Sequence, residues 1–336
     1  VRAEPRAGQP CVPPAEPGTR AQHKTGAEHR VALNTPVRSM KMLELQLAAG
    51  ATEVYLALAS GAPVSWDALP ANRDGEPTQV ASRATLTALV SAAHDAGVLV
   101  HFCADAPVVP PDMSDEYRRH VDLGVTAGAD TVVVGSLAAC AWLAGSVPAL
   151  VAGDAVGVSS VSLARHLRDQ YGVRRVVLPH TLALAEIALF CTEPQLEVET
   201  PVQTGAGLDC GRCRLADTAG IGLGCRAGYR DTDGVDLGAF LDGASDCALC
   251  DVPALVEIGV AALRLPGRES PNVRQNAKVT QMYRRALAGH AARVPITEVI
   301  AEIDRVELMW QMGWLPRLCD QQRCRFRDTP QLRAYV

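Results

Sequence analysis

No apolar run in this sequence approaches the roughly 18–20 residues that a membrane-spanning helix needs, so a membrane span is not expected. The opening residues, "VRAEPRAGQPCVPPAEPGTRAQHKTGAEH", lack the apolar stretch of a secretory signal and are rich in Pro, Gly, Ala and charge. That composition predicts a disordered tail over residues 1–28. Strong charge of either sign is also missing: the formal net charge is −5, which gives no reason to expect nucleic acid as a partner. Neither Gly-x-Ser-x-Gly nor His-Glu-x-x-His occurs, so no serine-hydrolase elbow or zinc-protease helix is visible. A Cys-x3-Cys-x2-Cys run near an early strand, the mark of a radical adenosylmethionine enzyme, is absent as well.

What the chain does have is enough apolar material for a large core, with 48% hydrophobic residues over 336 positions. It also has eleven cysteines, an odd number in a sequence with no visible export signal. A reducing cytoplasm is the expected setting. There, clustered thiols more often hold metal or do redox chemistry than form stable disulfides.

The chain echoes itself. The segments "AGATEVYLAL" (49–58), "AGVLVHFCAD" (96–105), "AGADTVVVGS" (127–136), "YGVRRVVLPH" (171–180) and "IGVAALRLPG" (258–267) share one plan. A glycine ends a helix, a few residues turn the corner, and a short β-rich apolar run follows. The runs are nearly continuous rather than alternating, as parallel strands buried on both faces require. Helical stretches lie between them. One begins at "PVRSMKMLELQLAAG", with Pro36 placed in its first turn. Adding "HRVALN" (29–34), "ALVAGDAV" (149–156) and "LEVETPVQ" (196–203) gives about eight strands alternating with helices. This predicts an α/β fold of the (β/α)8 TIM-barrel type over 29–290, with a doubly wound open sheet as the alternative. A helical extension follows over 291–336.

The cysteine-rich stretch, 205–250, comes directly after the seventh strand, where a barrel gathers its active-site loops. Its spacing is Cys210-x2-Cys213-x11-Cys225-x21-Cys247-x2-Cys250. Two Cys-x-x-Cys pairs suit a structural zinc site, and five clustered cysteines equally suit a 4Fe–4S cluster held by four of them. The intervening "AGIGLGC" reads as a glycine turn that delivers Cys225 rather than as a phosphate loop.

The wider pattern around these cysteines carries a resemblance. It joins "GRC" (211–213), "GLGCRAGYR" and "SDCALCDVPALVEIGVAALRLPGRESPNVRQNAKVTQMYRRAL", with "GATEVYLAL" and "RRVVLP" upstream. From about residue 30 to 290 this resembles peptidase family U32, the collagenase-like proteases. The family pattern there is a Gly-Arg-Cys, a Gly-x-Cys and a "DLC…PELIEAGVDSLKIEGR…SP" block ending in "YRKAL". The resemblance, which extends to the UbiU- and UbiV-type members, implies a 4Fe–4S cluster and oxygen-independent hydroxylation of a small organic acceptor. Prephenate is the implied hydroxyl donor. It implies Cys213 and Cys225 as ligands and places Cys247 at the cysteine of "DLC", while Cys210 and Cys250 compete for the remaining position. It also implies the alternatives of a peptidase, or of a metal-stabilised partner subunit paired with a paralogous family member. The chain departs from the pattern where "KIEGR" reads "RLPGR", with Arg264 and Pro266, and where "VVLPR" ends in His180.

Several further residues invite a role. His180 ends the sixth strand and is a candidate acid, base or substrate contact. Glu197 and Glu199 share one face of the seventh strand, and Arg212 or Arg268 are the expected partners of carboxylates there. The candidate catalytic set is therefore His180, Glu197, Arg212 and Arg268, with the arginines holding anionic groups. His101 and Cys103 are expected in the packed interior, as are Cys140 and Cys191 on helices. Cys319 and Cys324 sit in the C-terminal piece, read as an amphipathic helix followed by a tryptophan-bearing turn.

Overall fold

The computed structural model describes residues 31–60, 65–67, 78–203, 229–238, 246–268, 270, 272–320 and 323–326. The tail expected over 1–28 lies outside these residues, and so do Cys210, Arg212, Cys213 and Cys225.

Eight parallel strands close into a barrel. In chain order they are β1 (Ala32–Pro36), β2 (Glu53–Leu56), β3 (Leu99–Ala104), β4 (Thr131–Val134), β5 (Leu150–Ala152), β6 (Val173–Val177) and β7 (Glu197–Pro201), followed by a later strand. A two-stranded antiparallel ribbon, β8 (Tyr229–Arg230) and β9 (Asp236–Gly238), precedes the closing strand β10 (Ala262–Arg264). β10 pairs with β7 on one side and β1 on the other, so the sheet has no open edge and the open-sheet alternative falls away.

The helices between strands are delimited by one recurring device. Ser39, Ser82, Ser136 and Ser160 each accept a hydrogen bond from a backbone N–H in the first turn of the helix that follows. These helices are α1 (Met40–Ala49), α2 (Arg83–Asp95), α4 (Leu137–Leu143) and α5 (Val161–Tyr171), with α3 (Ser114–Thr126) between the second and third of them. Pro36 is not inside α1: it ends β1, because Ser39 supplies the cap and starts the helix three residues later. α6 (Leu184–Cys191) and α7 (Val252–Glu257) complete the crossovers. The long α8 (Val273–Ala291) begins at Asn272, whose side chain accepts from Gln275 N–H. The fifth strand is also shorter than its sequence suggests: Asp154–Val156 leaves the sheet as a tight turn.

Beyond α8 comes the expected amphipathic helix, α9 (Ile296–Val306). The tryptophan-bearing segment is not a simple turn: Trp310–Cys319 winds as a wide π-helix. Pro316 lies inside it, and a proline can neither donate to nor fit the ordinary helical ladder. Trp310 and Trp314 stack with ring centroids 5.6 Å apart, and both are buried. No helix among the described residues is long and apolar enough to cross a membrane.

Most buried apolar side chains lie between strands and helices. A separate small group, Tyr55, Ala57, Cys103, Val133, Val151 and Val177, packs together by itself. Tyr55, Cys103, Val133 and Val177 each follow by two residues a polar side chain of the lumen (Glu53, His101, Thr131 and Arg175), which puts the group on the inward face of the barrel. The next inward positions toward the strand starts are polar. Arg175 donates from Nη1 to Glu53 at 2.5 Å and to Glu199 at 3.2 Å, and from Nε to Glu197 at 2.8 Å. Glu199 also accepts from Arg264 Nη1 at 3.0 Å and from Asn34 Nδ2 at 2.9 Å. His101 bridges Glu53 and Thr131 at 3.0 and 2.7 Å. The glutamates of β7 are thus paired with Arg175 and Arg264, from the strands on either side, and not with Arg268, while Arg212 lies outside the described residues.

Burial alone would raise the Glu53 carboxyl. The hydrogen bonds from His101 and Arg175 and the Arg175 charge outweigh it and hold Glu53 far below the usual carboxylate range. Glu199 is lowered too, its burial outweighed by the charges of Arg264 and Arg175. Because both native-state values are depressed, their stabilisation is complete above the ordinary glutamate pKa of about 4.3. It is lost as pH falls below that value. Arg175→Ala leaves three carboxylates without their shared cation. It should destabilise the protein by about 3–5 kcal/mol at neutral pH. The deficit should shrink as pH is lowered below about 4, where the orphaned carboxylates can take up protons. Urea unfolding of both proteins across this pH range measures it; an equal midpoint at neutral pH would refute the role given to Arg175.

Candidate active site at the carboxyl end of the barrel

The ends of the strands set polar side chains around one opening. Arg268 follows β10 and is 5% exposed. Its Nη2 donates to Asp67, in the segment after β2, at 2.5 Å. Its Nε and Nη1 are shielded from solvent and have no hydrogen-bond partner among the described residues. Buried donors left without acceptors cost about 1–3 kcal/mol each, which an acceptor reaching them would relieve. Tyr55 lies between two cations: the Arg264 guanidinium is 3.9 Å from its ring centroid and that of Arg268 is 5.9 Å away.

Two carboxylates that sequence reading did not single out stand nearby. Asp105 follows β3 and Asp154 follows β5. Each acts electrostatically on the other or on the arginines. Burial pushes the Asp154 carboxyl up, and the attraction of Arg264 only partly offsets this. The rim here is tight: a Cβ on Gly135, after β4, would lie 1.9 Å from the Asp105 carbonyl oxygen. The signal for both residues was present as an aspartate directly after an apolar run, in "HFCAD" and "VAGD", but no recognised motif marks them.

His180, after β6, meets Asp246 through Nε2 at 2.5 Å, while its buried Nδ1 has no hydrogen-bond partner among the described residues. Asp246 immediately precedes Cys247, so the histidine is tied to the returning end of the cysteine-rich stretch. Tyr283 on α8 fastens that end to the barrel. Its hydroxyl donates to Val202 C=O at 2.5 Å and accepts from Ala248 N–H at 3.1 Å. This tyrosine is the one in "YRRAL". Burial pushes the Cys247 thiol up to about 12. Cys250 and Cys319 both influence Cys247, and Cys324 influences Cys319 in turn. Four thiols therefore gather here, the donor chemistry an iron–sulfur cluster takes. Among the described residues, no three cysteine, histidine or carboxylate side chains converge as ligands of a single metal ion.

Of the expected catalytic residues, His180 and Arg268 are at this carboxyl end. Glu197 lies at the start of β7, half exposed and paired with Arg175. Arg212 is outside the described residues. Cys247 and Cys250 belong to the thiol group, whereas Cys210, Cys213 and Cys225 are outside the described residues. Cys103 and Cys140 are in the packed interior as expected, and Cys191 is half-buried at the end of α6.

Comparison with known proteins follows the same lines. The structure of octameric ribulose-1,5-bisphosphate carboxylase/oxygenase from Pyrococcus horikoshii OT3 aligns with a TM-score of 0.50 at 8% identity. It covers 86% of this chain and 66% of its own. The U32 peptidase Mk0906 aligns with a TM-score of 0.49 at 14% identity, covering 74% of this chain and 97% of its own. At such identities the likeness speaks to the barrel alone. No curated protein matches the sequence. The sequence profile of Peptidase family U32, however, matches residues 38–309, from α1 through the start of the C-terminal piece. With most of its length matched, the barrel belongs to peptidase family U32.

Proposed function

We propose that this protein is an iron–sulfur enzyme that hydroxylates a small organic acceptor without dioxygen, using an anionic hydroxyl donor such as prephenate. The observation that carries the reading is Arg268, a buried guanidinium at the barrel mouth with two donors unspent. A carboxylate entering the mouth supplies the missing acceptors and is itself spared an unpaired, desolvated charge. The cysteine pattern shared with the family supports a 4Fe–4S cluster, with Cys213, Cys225 and Cys247 as ligands and Cys210 or Cys250 as the fourth.

Converting an acceptor C–H to C–OH with a hydroxyl at the oxidation level of water releases two electrons, so an external electron acceptor is part of the reaction. When bound, the cluster supplies one-electron relay. The chain's own groups do the rest. Arg268 anchors the donor's carboxylate, and Arg264, fixed by Glu199, is a second cation against Tyr55. Asp154, whose carboxyl burial holds protonated to higher pH than an ordinary aspartate, is placed to give a proton to a departing group. His180, oriented by Asp246, offers Nδ1 as the complementary proton acceptor. A peptidase of the Ser–His or Cys–His type has less support, because that Nδ1 contacts no hydroxyl or thiol.

Anaerobically purified protein should be brown and carry about four iron and four sulfide per chain. Colourless protein with one zinc would refute the cluster. Prephenate should bind cluster-loaded wild type, and Arg268→Ala should weaken its Kd by about 10–100-fold without loss of iron. Arg268→Lys, which keeps the charge but has fewer fixed donors, should fall between. Equal Kd in all three removes the anionic donor from this reading.

The raised Asp154 carboxyl gives a separate check. The folded protein holds this proton to higher pH than the unfolded chain does. Its contribution to stability therefore falls as pH rises from about 4 through the raised native value. Asp154→Asn should melt higher than wild type at neutral pH, the gap closing toward pH 4. Donor turnover should lose its dependence on this group. A melting difference that does not vary with pH would contradict the assignment.

A further inference from the structure

The C-terminal segment returns to the barrel and lays one thiol beside another. Cys324 and Cys247 are partners in a short parallel bridge. It is held by Cys247 N–H to Arg323 C=O at 2.9 Å and by Arg325 N–H to Cys247 C=O at 3.0 Å. Cys250 follows Cys247 by one turn, and Cys319 ends the π-helix that leads into the bridge. A Cys-x2-Cys pair thus meets a Cys-x4-Cys pair from the far end of the chain.

A second, independent observation lies beside them. The guanidinium of Arg325 has all three nitrogens shielded from solvent, and among the described residues none of them has a hydrogen-bond partner. The Phe326 ring lies 4.6 Å from it. Asp246 attracts it but gives Oδ2 to His180. A buried cation without an acceptor is strongly disfavoured, so the surroundings call for an anionic group. Cluster-ligating thiolates provide one.

We propose that Cys324, together with Cys247, ligates the iron–sulfur cluster, taking the fourth position in place of Cys210 or Cys250, and that Arg325 balances the negative charge of that centre. The inference rests on the reading of the protein as an iron–sulfur enzyme. It makes the C-terminal segment part of the metal centre rather than a cover for the barrel.

The test uses the full chain, purified anaerobically as wild type, Cys324→Ser, Arg325→Gln and, as control, Cys191→Ser. Iron and sulfide content, the electron paramagnetic resonance of the reduced protein and the midpoint potential are measured, with melting of the apo forms in parallel. Cys324→Ser should retain less than half the wild-type iron or show an altered resonance, while Cys191→Ser matches wild type. Arg325→Gln should keep its iron but move the potential to more negative values, because removing a cation disfavours the reduced cluster. That shift is the deciding readout if Cys324→Ser melts well below wild type. Iron-loaded wild type with an indistinguishable Cys324→Ser would overturn the proposal, as would a Cys247–Cys324 disulfide found by mass spectrometry, or an unshifted potential in Arg325→Gln. Wild type that takes up no iron would instead overturn the cluster reading itself.

Discussion

A chain of alternating charge threads the lumen of the barrel, and much else is arranged around it. Glu53 meets Arg175, Arg175 meets Glu199, and Glu199 meets Arg264. Each member is desolvated, and each is tolerable only because its neighbours are fixed in place by different strands. The network therefore acts as a register device: β1, β2, β6, β7 and β10 all contribute a partner, and a slip of one residue in any of them would turn a charge out of the lumen. Arg264 is the link that matters for chemistry. Anchored below by Glu199, it presents its other face to Tyr55 and to the field around Asp154. The charge at the mouth is thus set by a group that cannot swing away.

The repeated order of glycine, corner and apolar run made the eight-stranded barrel legible in the sequence, because each βα unit obeys local rules of capping and periodicity. The serine caps at Ser39 and Ser136 sharpen the boundaries that periodicity leaves loose, as the position of Pro36 illustrates. Partners inside the lumen were not legible. Glu53 and Arg175 sit on non-adjacent strands that face one another only when the sheet closes, and no spacing rule encodes that contact. The same holds for Asp105 and Asp154, each an ordinary aspartate until its position after a strand places it on the rim.

The thiols show the opposite failure. Their clustering in sequence drew attention to residues 205–250, and that stretch does return to the barrel at Cys247. Cys319 and Cys324 looked like isolated thiols because the π-helix between Trp310 and Cys319 redirects the chain. A segment read as a turn would not have brought them back. Pro316 lies within that helix, and Trp310 and Trp314 hold it against the core.

The apolar ring formed by Tyr55, Ala57, Cys103, Val133, Val151 and Val177 separates the charged lumen from the rim. Arg264, held by Glu199 and lying against Tyr55, reaches past this ring, while Glu53, His101 and Arg175 stay below it. On the proposed reading, a molecule held at Arg268 would have to leave by the carboxyl end at which it entered, because this ring closes the way through the lumen.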